Sequence, residues 1–202
     1  MNNYSEIKLS QIISYLSFKN LKFGIIGNIN LGQKLITSLI DQININNNII
    51  FSSDHLDCLN KVSYYEKKEE YNSILNHLIK YIDLDICNES HLIVFDNIFS
   101  ENNYYLQKLY LSNKISIIAN NNTTLLMKPF NDYIFVLYND DENTKKAIYE
   151  LYFKELLNTF DCFLEIYNEL KFSTIYLCIV IQNIDNIKNI HYMKHHNITI
   201  FI

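Results

Sequence analysis

Short apolar runs alternate along this chain with stretches in which hydrophobic residues return every three or four positions, so strands and amphipathic helices are expected to take turns. The first periodic stretch is 5–17, where Ile7, Leu9, Ile12, Ile13 and Leu16 line one face behind a capping Ser5. Residues 21–26 make one short buried strand, and Leu31, Leu35, Ile36, Leu39 and Ile40 follow at helical spacing. A second strand, Ile49-Ile50-Phe51, ends in Ser52-Ser53-Asp54. Strand, helix and strand together span about 30 residues, the length of a right-handed parallel crossover. Residues 64–70 are polar and charged, a surface stretch or a weak strand, and Tyr71, Ile74, Leu75, Leu78, Ile79 and Ile82 form a strong helical stripe. The clearest strand is Leu92-Ile93-Val94-Phe95, followed by Asp96-Asn97 and a helix carrying Tyr105 and Leu109. Strands are expected again at 115–119 and 133–138, and a helix at 144–159. Residues 172–181 fit either a buried strand or a core helix, and 197–202 alternate like a strand. The alternation predicts an α/β protein with a Rossmann-like, doubly wound, mostly parallel sheet and a short C-terminal α/β appendage. Its parts would be an N-terminal helix (1–20), a sheet domain (21–140) and the C-terminal helix and apolar segments (141–202).

Candidate chemistry concentrates at the turn after the first strand. The three glycines of the chain, Gly24, Gly27 and Gly32, all fall there. Such a turn aims backbone N–H groups and the positive end of a helix at one spot, which suits a phosphate. Gly27-Asn28-Ile29-Asn30-Leu31-Gly32 keeps the first and third glycines of the dinucleotide fingerprint G-x-G-x-x-G and puts Ile29 where pyrophosphate should approach the second. The same glycines have the spacing of the phosphate loop G-x-x-x-x-G-K-[ST], but Gln33 stands at the lysine and Lys34 at the hydroxyl that would hold magnesium. They equally suit tight packing of a helix on the first strand with no ligand. As a cofactor site, Gly27, Asn28, Asn30 and Leu31 would offer N–H groups to a pyrophosphate, Asn30 would cap the helix, and Ile29 and Gly32 complete the turn. Near the end of the second strand, Asp54 fits ribose recognition or the cap of the next helix, with Ser52 and Ser53 as neighbouring hydroxyls. Asp96 and Asn97 would face the crevice at the carboxyl ends of the strands, and Asp96 has the placement of a Walker B aspartate.

Composition narrows the partners. All 17 basic residues are lysine, so bidentate arginine clamps on phosphate are missing from the chain. A net charge of −5 without a basic stripe argues against nucleic acid. No apolar run approaches the roughly 20 residues of a membrane span, and the first residues lack a secretory pattern, so a cytoplasmic, non-membrane protein is expected. Cys58, Cys87, Cys162 and Cys178 are scattered, which favours free thiols in a reducing compartment. His191, His195 and His196 lack regularly spaced Cys or Asp partners and read as a solvated tail; no metal is expected.

The succession Phe23-Gly24-Ile25-Ile26-Gly27-x-x-Asn30-Leu31-Gly32-Gln33-x-Leu35-Ile36, Ile49-Ile50-Phe51-Ser52, His91-Leu92-Ile93-Val94-Phe95 and Ile115-Ser116-Ile117-Ile118-Ala119 resembles the N-terminal domain of pyrroline-5-carboxylate reductases and related NADP-dependent oxidoreductase-like proteins. The resemblance covers about residues 21–140. It implies a Rossmann domain that binds NADP or NAD and delivers hydride to a cyclic imine, the last step of proline biosynthesis. The expected enzyme is an NAD(P)H-dependent reductase acting on a C=N bond, with its catalytic residues unassigned. The family's characteristic turns are replaced by Asp96-Asn97-Ile98-Phe99, Asn120-Asn121-Asn122 and Tyr138-Asn139-Asp140. These departures open a different class, a catalytically inactive Rossmann-fold scaffold whose C-terminal segment pairs with a partner protein or a second copy. A third class is a degenerate nucleoside triphosphatase whose binding depends on magnesium.

Overall fold

Every residue of the strands Lys22–Ile26, Ile115–Asn120 and Tyr133–Leu137 is buried, which requires that both faces of their sheet be covered. The computed structural model describes residues 5–16, 21–42, 47–52, 62–65, 91–96, 109, 112, 115–120, 132–184 and 187–194. Among these, one nine-stranded sheet contains β1 (Ser5–Glu6), β2 (Lys22–Ile26), β3 (Asn47–Ser52), β4 (Val62–Tyr65), β5 (His91–Asp96), β6 (Ile115–Asn120), β7 (Tyr133–Leu137), β8 (Tyr176–Ile184) and β9 (Ile187–Lys194). Their order is β1-β9-β8-β7-β2-β6-β5-β3-β4. The run from β7 to β4 is parallel throughout, while β8 pairs antiparallel with both β7 and β9. The fold is the expected doubly wound, mostly parallel α/β sheet.

Alternation along each central strand divides the core in two. Phe23 and Ile25 of β2 and Tyr133, Phe135 and Leu137 of β7 pack with α1 (Leu9–Leu16) and α2 (Ile29–Gln42), to which they present Phe23 stacked on Tyr133. Ile26, Ile134 and Val136 face the other way, into an aromatic cluster of Tyr149, Tyr152, Phe153, Phe163 and Tyr167. That second layer comes from α3 (Glu142–Ile148), a π-helical turn (Tyr149–Phe153) and α4 (Phe160–Phe172).

Several elements differ from the sequence reading. Ser5 does not cap a helix, because it pairs with His191 in the sheet and its hydroxyl meets the His191 ring at 2.6 Å. The helix expected over 144–159 stops early. The amide of Lys154 donates to the Tyr149 carbonyl at 2.8 Å, widening the last turn so that Tyr149, Tyr152 and Phe153 all reach the core, and Thr159 then caps α4. Residues 172–181 resolve into the end of α4 and the first part of β8. His191 is no solvated tail residue: it lies half-buried in β9, where its ring also meets Gln182, and burial lowers its pKa. His195 and His196, the helix expected over 71–82 and the strand expected at 197–202 lie outside the described residues.

Candidate functional site

The sheet places the glycine turn at a point where the winding reverses. From β2 the chain passes through α2 on one face to β3; from β7 it passes through α3 and α4 on the opposite face to β8. The neighbouring carboxyl ends of β2 and β7 therefore open into a crevice, the usual place for a ligand in an open α/β sheet. A cleft of about 470 Å³ lies there, lined by Gly27, Asn28, Ile29 and Asn30 from one turn and Tyr138, Asn139 and Asp140 from the other. Its volume falls within the range of small-molecule sites.

Gly27 makes this closeness sterically feasible. Its φ is +112°, and a Cβ there would stand 2.0 Å from the Leu137 carbonyl oxygen. Asn28 then caps α2, its Oδ1 accepting from the Leu31 amide at 3.1 Å, so the cap is Asn28 and not the expected Asn30. The Gly32 amide donates to the Asn28 carbonyl at 2.9 Å, already a helical bond. Residues that would wrap phosphate in a G-x-x-x-x-G-K loop are here the first turn of α2. The earliest amides of α2, those of Ile29 and Asn30, are the donors that a helix start leaves without intrahelical partners.

The opposite wall is fixed from α4. The Tyr167 hydroxyl donates to the Leu137 carbonyl at 3.0 Å and accepts from the Asn139 amide at 2.8 Å, while Asn139 Nδ2 reaches the Gly27 carbonyl at 3.4 Å. Asp140 accepts from Lys171 at 2.8 Å and from the Tyr138 hydroxyl at 2.7 Å. These two bonds, Lys171 first, hold its carboxyl below the usual carboxylate range.

Behind α2, the strand ends carry a second polar group. Ile25, Asn120, Asp96 and Ser52 lie in register across β2, β6, β5 and β3. Asp96 is fully buried; its Oδ2 accepts from Gln33 Nε2 at 2.9 Å and its Oδ1 from Asn120 Nδ2 at 2.8 Å. Asn120 is wedged under the helix, since a Cβ on Gly32 would come within 2.3 Å of its Oδ1. Gly32 is thus required for close approach of α2 to β6, the packing role open to it in the sequence.

The structure brings Gly27, Asn28, Ile29 and Asn30 together on the cleft, puts Leu31 and Gly32 in α2 just beyond it, and buries Asp96 away from it. Ser52 sits three strands from β2, about 14 Å at usual strand spacing, so the end of β3 is not beside the glycine turn. Ser53, Asp54 and Asn97 lie outside the described residues. Sequence reasoning met Asn120, Tyr138 and Asn139 only as departures from a family's turns and missed Tyr167 altogether, because only the strand order reveals which turns become neighbours. Among the described residues no group of three His, Cys, Asp or Glu side chains could hold a metal ion, and no helix is long and apolar enough to cross a membrane.

Comparison with known proteins corrects the reductase resemblance. No family model matches the chain, and no curated protein matches it. Solved structures do. The DNA-packaging ATPase B204 from Sulfolobus turreted icosahedral virus superposes with a TM-score of 0.59 at 14% identity, covering 86% of this chain and 97% of that one. The genome-packaging NTPase B204 from Sulfolobus turreted icosahedral virus 2 gives 0.57 at 11% identity in its complex with ATP-gammaS and 0.56 at 10% with AMPPCP, each over 85% of this chain. The expectations of a pyrroline-5-carboxylate reductase, of NAD(P)H hydride transfer and of a part in proline biosynthesis are therefore overturned. The sheet gives the physical reason: in a dinucleotide domain the strand after the first helix lies beside the glycine strand, whereas here β6 and β5 separate β3 from β2. What the chain shares with the packaging ATPases is their fold.

Proposed function

We propose that this chain is a nucleotide-binding component of the genome-packaging type, holding the phosphates of a nucleoside triphosphate at the start of α2 and hydrolysing it poorly or not at all. The observation that carries the reading is the cleft at the β2/β7 reversal, where the Gly27 turn and the first amides of α2 meet the Tyr138–Asp140 turn, in a fold matched over nearly the whole length of nucleotide-bound packaging ATPases. A helix start supplies oriented donors and a positive dipole end to an anion. Hydrolysis asks for more: a lysine and a metal on the transferred phosphoryl group. At those positions the chain has Gln33 and Lys34, and the aspartate is buried against two amides.

Calorimetric titration of the full chain with ATP, ADP and NADPH tests this, together with a phosphate-release assay. ATP and ADP should bind, NADPH should give no heat, and phosphate release should stay at background. Tight NADPH binding, no ATP binding at millimolar concentration, or turnover near the ~10 s⁻¹ typical of enzymes would contradict it.

A further inference from the structure

Nucleoside triphosphatases of this general fold hold a divalent cation between an aspartate at a strand end, a hydroxyl after the phosphate-loop lysine, and the nucleotide. The groups present here do not fit that ion. Magnesium demands near-octahedral oxygen ligands at ~2.1 Å and keeps several of its waters. The Asp96 carboxylate offers neither the room nor the approach. It is fully buried, and an amide N–H from Gln33 addresses one oxygen while another from Asn120 addresses the second. Amide hydrogens carry partial positive charge, so a cation arriving at either oxygen would meet repulsion from the donor already on it and could use only the lone pair that donor leaves. The Asn120 carboxamide lies against Gly32, with no room for a side chain between them. Lys34 replaces the hydroxyl ligand with a like charge, and the cleft that would take a nucleotide does not include Asp96 among its lining residues.

We infer that Gln33 and Asn120 close the cation site, so that this chain takes its nucleotide without a divalent ion held by the protein. Gln33 stands where a phosphate loop has its lysine, and its amide donates to the aspartate. The side chain at the lysine position therefore hydrogen-bonds the carboxylate on which a metal would depend. The inference rests on the nucleotide-binding reading above and specifies how that site is used.

Titration of the full chain with ATP in excess magnesium and again in EDTA provides the test. The two dissociation constants should agree within about twofold. Binding about tenfold weaker in EDTA would overturn the inference while leaving nucleotide binding intact. Absence of binding in both buffers would overturn the nucleotide-binding reading and this inference with it. Gln33→Ala, which removes the Gln33 donor to Asp96 Oδ2 at a half-buried helix position, should make binding magnesium-dependent by about fivefold or more. Magnesium-independent binding in that variant would show that Gln33 does not close the site.

Discussion

A methyl group at Gly27 measures how closely the two walls of the cleft are held. In Gly27→Ala the new Cβ would lie 2.0 Å from the Leu137 carbonyl oxygen and 2.8 Å from its carbon. Both are backbone atoms of β7, which is hydrogen-bonded to β2 on one side and β8 on the other, so no side chain can swing aside. The backbone φ of +112° adds a strain of about 1–2 kcal/mol for any L-residue. Forcing extra volume between packed elements costs typically 1–3 kcal/mol more. The variant should therefore lose about 2–5 kcal/mol, a large share of the 5–15 kcal/mol that stabilises a typical domain. For a chain of this size that corresponds to a fall in Tm of roughly 10 °C. Urea unfolding followed by circular dichroism would read the loss directly. A cost under about 0.5 kcal/mol, the range of an unconstrained surface position, would refute the close approach of β2 and β7 at this turn.

Other perturbations test separate contacts. Tyr167→Phe removes the hydroxyl that bridges the Leu137 carbonyl and the Asn139 amide, and should cost about 1–2 kcal/mol in urea unfolding. Gly32→Ala pushes a methyl into Asn120 and Asn120→Ala makes room for it, so the double variant should be more stable than the sum of the two single losses by about 1 kcal/mol in a double-mutant cycle. Lys22 is buried at the start of β2, donating to the carbonyls of Ser112 and Ile115, and desolvation lowers its pKa from 10.5 to about 8 despite the opposing pull of Asp132. Between those pH values the unfolded chain holds a proton that the folded chain has released. Stability should therefore rise from pH 8 towards 10.5, by at most roughly 3 kcal/mol from this group, and Lys22→Met should abolish that rise in unfolding free energy.

The strands were legible where burial on both faces leaves an unbroken apolar run. Leu92-Ile93-Val94-Phe95 and Ile115-Ser116-Ile117-Ile118-Ala119 reveal β5 and β6 for that reason, and the helical spacing of Leu35, Ile36, Leu39 and Ile40 reveals α2. β9 escaped notice because Asn189 and Lys188 interrupt its apolar residues on the less buried part of the strand. Strand order was not legible at all, since local patterns say nothing about which strands a crossover skips. That order separates a dinucleotide domain from this fold, and the glycines alone suit both. Within the site, the turn at Gly27 and the strand-end position of Asp96 could be read from the sequence. The meeting of Asp96 with Gln33 and Asn120 could not, because those amides come from elements 63 and 24 residues away along the chain. Gln33 read locally is a missing lysine; in the folded chain it is the partner of the aspartate.

The most direct test of nucleotide binding at the Gly27 turn is a titration of ¹⁵N-labelled protein with ATP, followed through backbone amide resonances. The largest shifts should fall on Asn28, Ile29 and Asn30 at the start of α2, with smaller ones on Tyr138, Asn139 and Asp140 across the cleft. Shifts confined to other parts of the chain, or none at millimolar ATP, would contradict the placement of a nucleotide site at this turn.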